Sequence, residues 1–166
     1  RAFAAWLQQS GLEPGTRIAI MLPNVLQFPV ALFGALRAGM TVVNVNPLYT
    51  ARELELQLTD SGAEAIVILA NFASVLEKVI DRTSVRTVIV TDFGDLLSFP
   101  KAFIVNAVLR YVKKMVPAYN LPGHWRFTEI LAEGRPMSFS PVAPDGDSLA
   151  FLHYTGWDTR RSKGAA

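Results

Sequence analysis

The 19 positions from Ile18 to Leu36 carry no charge between Arg17 and Arg37, a length at which a chain either crosses a bilayer or buries strands inside a parallel sheet. The interior of the run decides between them. Pro23-Asn24 divides it into a short apolar piece, Ile18 to Leu22, and a piece with helical spacing, Val25, Leu26, Phe28, Leu32, Phe33 and Leu36, with Gly39 as a stop. A strand covered on both faces reads as an unbroken apolar run, so a sheet interior also accounts for 51% hydrophobic and 18% charged residues without lipid. No signal peptide is visible, and a start at Arg1-Ala2-Phe3 without methionine reads as a piece of a longer protein.

The same unit then repeats. Residues 1–10 read as a helix end with Phe3, Trp6 and Leu7 on one face and Gly11 as its stop. Strand 17–22 leads to helix 25–38, strand 41–45 to helix 51–61, strand 64–70 to helix 72–82, and strand 86–91 to a loop from Asp92. The clusters Val42-Val43-Val45, Ile66-Val67-Ile68 and Val88-Ile89-Val90 suit buried strands. Thr50 and Glu53 have capping-box spacing. Strand-helix alternation with short connections predicts an α/β fold: an open, mostly parallel sheet with helices on both faces, binding ligands beyond the carboxyl ends of its strands.

After residue 92 the rhythm breaks, and Pro100 begins a segment that does not continue it. Lys101 to Val116 predicts an amphipathic basic helix with a broad apolar surface, Phe103, Ile104, Val105, Val108, Leu109, Val112 and Met115, opposite Asn106, Arg110 and Lys113. The chain's net charge of +2 hides a contrast: residues 101–135 carry +4, residues 1–100 carry −2, and residues 136–166 balance. Two readings of the helix stand side by side, docking on the domain with its lysines in water and lying on an anionic membrane surface. Residues 117–144 read as a proline- and glycine-rich connector with a short helix at 127–133. The predicted division is therefore a sheet unit at 1–98, an inserted helix and connector at 99–144, and a strand with the start of a loop at 145–166.

Charge this near balance excludes a general nucleic-acid binder. Zero cysteines exclude a disulfide scaffold and a thiolate metal site, and the two histidines, His124 and His153, leave little for a histidine metal centre. His153 reads as a strand-end residue, Asp145 and Asp147 as a turn around Gly146, and Trp6, Trp125 and Trp157 as packing or surface groups. No metal ligand and no catalytic side chain is assigned within the 166 residues. Chemistry concentrates at the end, where a strand over 149–154 enters a turn rich in hydroxyls and glycine and reaches Lys163-Gly164. A polyphosphate needs that arrangement: glycine for close backbone approach, hydroxyls and N–H groups as donors, a lysine as a compact charge. It lacks the Walker spacing, since Gly156 stands seven positions before Lys163.

Pro14 to Asn24, Ala35 to Thr50, Glu53-Leu54 and Asp60-Ser61-Gly62-Ala63, read with this tail, resemble the N-terminal domain of AMP-forming acyl-CoA synthetases, in the adenylate-forming superfamily. Val108 to Pro122 resembles the bacterial long-chain fatty acyl-CoA synthetases in particular. That family carries Tyr-Thr-Gly-Gly-Thr-Thr-Gly-x-Ala-Lys-Gly-Ala. Tyr154, Thr155, Gly156, Thr159, Lys163, Gly164 and Ala165 match it in register, while Trp157 and Arg160 replace glycines, Asp158 a threonine and Ser162 the alanine. Two lost glycines and an added carboxylate predict weak ATP binding by this loop as written.

The resemblance implies a cytoplasmic ligase, peripheral on the inner membrane, in which a long-chain fatty acid attacks ATP with Mg²⁺ to give an acyl-adenylate and pyrophosphate, and coenzyme A then displaces AMP. It implies nucleotide contacts at Thr155, Gly156, Thr159, Lys163 and Gly164, an inactive chain when isolated, and leaves a homodimer open. The alternative is a non-catalytic relative, degenerate in its loop, or a membrane-surface module on the same fold.

Overall fold

The computed structural model describes residues 1–142, 148–155 and 163–165. Its first strand, β1 (Arg17–Met21), lies in the middle of the sheet, flanked by β2 (Thr41–Asn44) and β3 (Ala65–Leu69); β4 (Thr87–Thr91) lies outside β3. All three pairings are parallel, with Ile18 opposite Val42 and Ala65, and Ile66 opposite Val88. The helices between them are α2 (Gln27–Arg37), α3 (Ala51–Ser61) and α4 (Ala73–Glu77), and α1 (Ala2–Gln9) precedes the sheet.

Alternation along each strand divides the core in two. Ile18 and Ile20 of β1, Val42 of β2, and Ala65 and Val67 of β3 face a layer built on Phe3, Trp6 and Leu7 of α1 and Ala31 and Ala35 of α2. Ala19, Met21, Val43, Ile66 and Ile68 face the opposite layer, with Leu54 and Leu58 of α3 and Leu76 of α4. The uncharged run is thus a doubly buried strand and its following helix. No described helix is long and apolar enough to cross a membrane.

Caps set the helix ends. Thr50 Oγ1 accepts from the Glu53 N–H at 3.4 Å and Glu53 Oε2 accepts from the Thr50 N–H at 2.8 Å, closing the capping box. The bonds that Thr50 donates to Glu53 Oε2 from its N–H and its hydroxyl hold the Glu53 carboxyl below its ordinary range, the backbone bond most of all. At the other end Gly62 takes the left-handed conformation at φ 60°, and Arg17 Nη1 donates to the Ser61 carbonyl at 2.6 Å.

Four expectations are corrected. The helix expected over 72–82 is a 3₁₀ turn at Ala70–Phe72, the short α4, and a second 3₁₀ turn at Ile80–Arg82. Its apolar residues follow loop packing, with Val79 buried between α4 and the second turn. The helix expected over 101–116 is α5 (Lys101–Ala107), which widens into a π-helical turn at Val108–Val112 and stops there; Lys114 has φ 52°, incompatible with continuation. The stretch expected to be a connector also supplies an edge strand, β5 (Trp125–Arg126), parallel to β4, while the short helix expected at 127–133 is present as α6 (Phe127–Gly134). Phe127 and Ile130 are fully buried, and Phe127 meets Phe3 of α1 at 5.3 Å between ring centroids. Finally, α5 does not dock through its apolar surface.

That surface faces outward. Phe103, Tyr111 and Val112 are 72%, 74% and 71% exposed, and no residue of α5 is buried. Its polar side faces the protein: Asn106 Oδ1 accepts from the Gly94 N–H at 2.7 Å, Asn106 Nδ2 donates to Asp95 Oδ1 at 3.0 Å, and Arg110 Nη2 donates to Asp92 Oδ1 at 3.0 Å. Asp95 in turn accepts from the Asp92 N–H and the Thr91 hydroxyl at the end of β4.

Candidate functional site

The last parallel strand, β6 (Phe151–Thr155), adds to the outer edge of β2, with Phe151 opposite Val42 and Leu152 opposite Val43. The Thr41 hydroxyl donates to the Leu149 carbonyl at 2.7 Å and the Val42 N–H to the Ala150 carbonyl at 2.9 Å, so the incoming chain is gripped before the strand begins. Because β6 runs parallel to β1–β4, its end at Thr155 opens on the rim formed by their carboxyl ends. Chain connections leave β1 toward β2 on one side and β3 toward β4 on the other, a switch of direction that places a crevice on this rim.

Beyond Leu152 the ladder with β2 ends, and β6 pairs instead with an antiparallel strand, β7 (Lys163–Ala165). Tyr154 stands opposite Gly164 and Thr155 opposite Lys163. The backbone therefore brings together three of the five residues expected to contact nucleotide, Thr155, Lys163 and Gly164, on two paired strands, although eight positions separate Thr155 from Lys163. Gly156 and Thr159 lie outside the described residues, as do the replacements Trp157, Asp158, Arg160 and Ser162 and the turn residues Asp145 and Asp147. The β7 strand has no counterpart in the sequence reading, which treats all of 155–166 as turn; three residues are too few to show a period.

Alternation on β6 sorts its side chains. Phe151 and His153 share one face, their rings stacked at 5.5 Å and 18°, with His153 exposed. Leu152 and Tyr154 pack on the other face, against the layer that holds α3. There the Tyr154 hydroxyl donates to Asp60 Oδ2 at 2.7 Å, in the last turn of α3. Burial, and then the Asp60 carboxylate, push the Tyr154 hydroxyl well above the ordinary tyrosine range, so it stays a protonated donor at any physiological pH. Sequence reading missed this pair. Its one available signal was the position of Tyr154 on the apolar face of the strand, where a half-buried hydroxyl needs an acceptor.

The tryptophans reached by the structure serve packing: Trp6 meets Trp125 edge-on at 5.2 Å, and Trp6 Nε1 donates to Glu133 Oε2 at 3.1 Å. Among the described residues there is no cluster of three or more His, Asp or Glu side chains able to hold a metal ion.

A sequence-family model described as "AMP-binding enzyme" matches residues 1–165. The chain is 57% identical over 166 residues to a long-chain-fatty-acid–CoA ligase of Salmonella typhimurium and 58% identical over 168 residues to that of Yersinia pestis, covering 99% of this chain and 30% of each relative. A ligase of the same name from Bacillus subtilis is 33% identical over 163 residues. The chain thus spans about a third of the length of these relatives. Among solved structures, a long-chain-fatty-acid-CoA ligase from Archaeoglobus fulgidus superposes with a TM-score of 0.70 at 21% identity, over 98% of this chain and 27% of that one. An apo structure of MbtA from Mycobacterium smegmatis gives 0.73 at 26% identity, over 98% of this chain and 26% of that one.

Proposed function

This chain belongs to the AMP-binding enzyme family, and from that premise we propose that it is the nucleotide-loop-bearing part of an ATP-dependent long-chain fatty acid:CoA ligase. Identity of 57% to a protein of that name, over nearly the whole chain, is the observation that carries the reading. The proposed reaction has two halves. A fatty-acid carboxylate attacks the α-phosphate of ATP and expels pyrophosphate, and the thiol of coenzyme A then attacks the acyl-adenylate and expels AMP.

The hairpin supports a specific division of labour in the first half. Thr155 and Lys163 are backbone partners in the pair nearest the loop, at the rim where α/β sheets take their ligands, and we assign a hydroxyl and an ammonium to the loop from these two positions. Donors and a cation fixed there before the reaction stabilise charge on the departing pyrophosphate without reorganisation. We assign Gly156 and Gly164 to close backbone approach and Thr159 to a second hydroxyl donor. Mg²⁺ ordinarily arrives on nucleotide phosphates, keeping several waters and using one or two protein carboxylates. No described residue is assigned to it.

The test is fatty-acid-dependent pyrophosphate release by the full-length protein. Release is expected with long-chain fatty acids and is expected to be abolished by Lys163→Ala. A well-folded full-length protein that releases none would overturn the ligase reading in favour of a non-catalytic relative, which the replacements Trp157, Asp158 and Arg160 would then explain.

A second reading concerns location. We assign the outward face of α5 and its π-turn to an anionic membrane surface, with the enzyme in the cytoplasm and peripheral to the inner membrane. The supporting observation is the inverted packing: Asn106 and Arg110 are spent on Asp95 and Asp92, while Phe103, Tyr111, Val112 and Met115 are exposed beside exposed Lys101, Lys113 and Lys114. No acidic residue occurs between Leu96 and Thr128 to oppose a negative surface.

A further inference from the structure

Pairing of β6 with β2 ends at Leu152, and from His153 to Thr155 the strand pairs with β7 instead. What orients it there matters for any ligand held by the loop. The β7 strand moves with β6 and cannot anchor it, because the two form one hairpin. On the body side stands the Tyr154 hydroxyl, donating at 2.7 Å to Asp60.

The acceptor is held still. Asp60 lies in the last turn of α3, whose end is closed by Gly62 in the left-handed conformation and by Arg17 from β1 on the Ser61 carbonyl. Its start is closed by the Thr50–Glu53 box. One turn before Asp60, Gln57 Nε2 donates to the Asn44 carbonyl at the end of β2 at 2.8 Å, tying the helix to the strand that β6 pairs with. The donor stands immediately before Thr155 and opposite Gly164.

We propose that Asp60 is a positioning residue for the nucleotide loop, acting through the Tyr154 hydroxyl to fix the base of the β6–β7 hairpin. This rests on the AMP-binding reading of the loop. Asp60 touches no nucleotide in this scheme. Its contribution is to hold Thr155 and Lys163 at a constant distance from the rim, so that binding ATP does not first require ordering the hairpin. A carboxylate acceptor and a phenol donor make the bond charge-assisted and stronger than a neutral pair.

The test uses the full-length protein with two readouts, steady-state kinetics and amide hydrogen exchange across residues 151–165. Tyr154→Phe and Asp60→Ala each remove the bond and are expected to raise the KM for ATP about fivefold while the KM for fatty acid and kcat stay within about twofold. Asp60→Asn keeps an acceptor and is expected to stay near wild type. The double variant Asp60→Ala/Tyr154→Phe should be no worse than either single one, since both remove the same bond. Exchange at His153, Tyr154 and Thr155 should quicken in the two bond-removing variants by a similar factor.

An unchanged ATP KM with unchanged exchange would overturn the proposal, as would effects that multiply in the double variant or an Asp60→Asn protein as impaired as Asp60→Ala. Asp60 is exposed, so its replacement leaves the core intact and a folding failure does not mask the result. Should the wild-type protein release no pyrophosphate, the ligase reading fails, and exchange in the same variants still decides whether Asp60 holds the hairpin.

Discussion

Gly134 shows how far single residues are constrained. A Cβ placed there would run into the backbone carbonyl of Ala2, where α6 crosses α1. At Gly34 an added Cβ meets the Phe3 ring at 2.6 Å, a side chain rather than backbone, although one pinned by Phe127. Gly134→Ala is expected to destabilise the protein by about 1–3 kcal/mol, as overpacking does, and by more than Gly34→Ala. Urea midpoints of the two variants compare them directly, and the opposite order would show that α1 yields more easily than Phe3. Neither constraint was legible in the sequence. A glycine in an apolar helix announces a close approach but not which chain approaches. Tyr154 and Asp60 pose the same difficulty, being partners 94 residues apart with no motif in common.

Elements were legible where their periods were long. The β1–β4 strands and α2 and α3 follow from apolar runs and caps, and α3 has the bounds its capping box and Gly62 predict. The two-residue β5 is too short to carry a period, and both its residues are exposed, so only backbone pairing to β4 reveals it. For α5 the pattern was right and its orientation was not. Hydrophobic periodicity says that a helix has two faces, while the pairing of Asn106 and Arg110 with Asp95 and Asp92 decides which one turns inward. This revises which charges matter at a membrane: Arg110 is committed, and Lys101, Lys113 and Lys114 are available. Changing those three to glutamine should weaken binding of the full-length protein to phosphatidylglycerol vesicles on the order of 100-fold at low salt, at roughly 1 kcal/mol per lysine. Sedimentation with the vesicles measures it. Equal binding by wild type and variant would leave the outward apolar face to another part of the protein.

At the scale of the whole molecule, the sequence reading of an open α/β sheet agrees with the structure and with the solved neighbours, and the chain belongs to the AMP-binding enzyme family. The loop we propose for nucleotide was legible as a register of Tyr154, Thr155, Gly156, Thr159, Lys163 and Gly164. Its anchoring was not, because a motif records what touches a ligand and is silent on what holds the motif. Since the chain spans 30% of its ligase relatives, the isolated 166 residues are expected to release no fatty-acid-dependent pyrophosphate under conditions where the full-length protein does. Measurable turnover by the isolated chain would show that the whole reaction is housed here.

The order of strands has a consequence for synthesis. Strands β1 to β4 all lie within the first 91 residues, whereas the partner for the outer edge of β2 begins at Phe151. As the chain leaves the ribosome, a four-stranded platform can assemble while one of its borders, Val42 and Val43, waits for about 60 further residues with unsatisfied backbone groups. Such a border invites pairing with another nascent chain. The strand that finally seals it also carries the loop we propose for nucleotide, so closing off aggregation and presenting that loop become one event in the life of the protein.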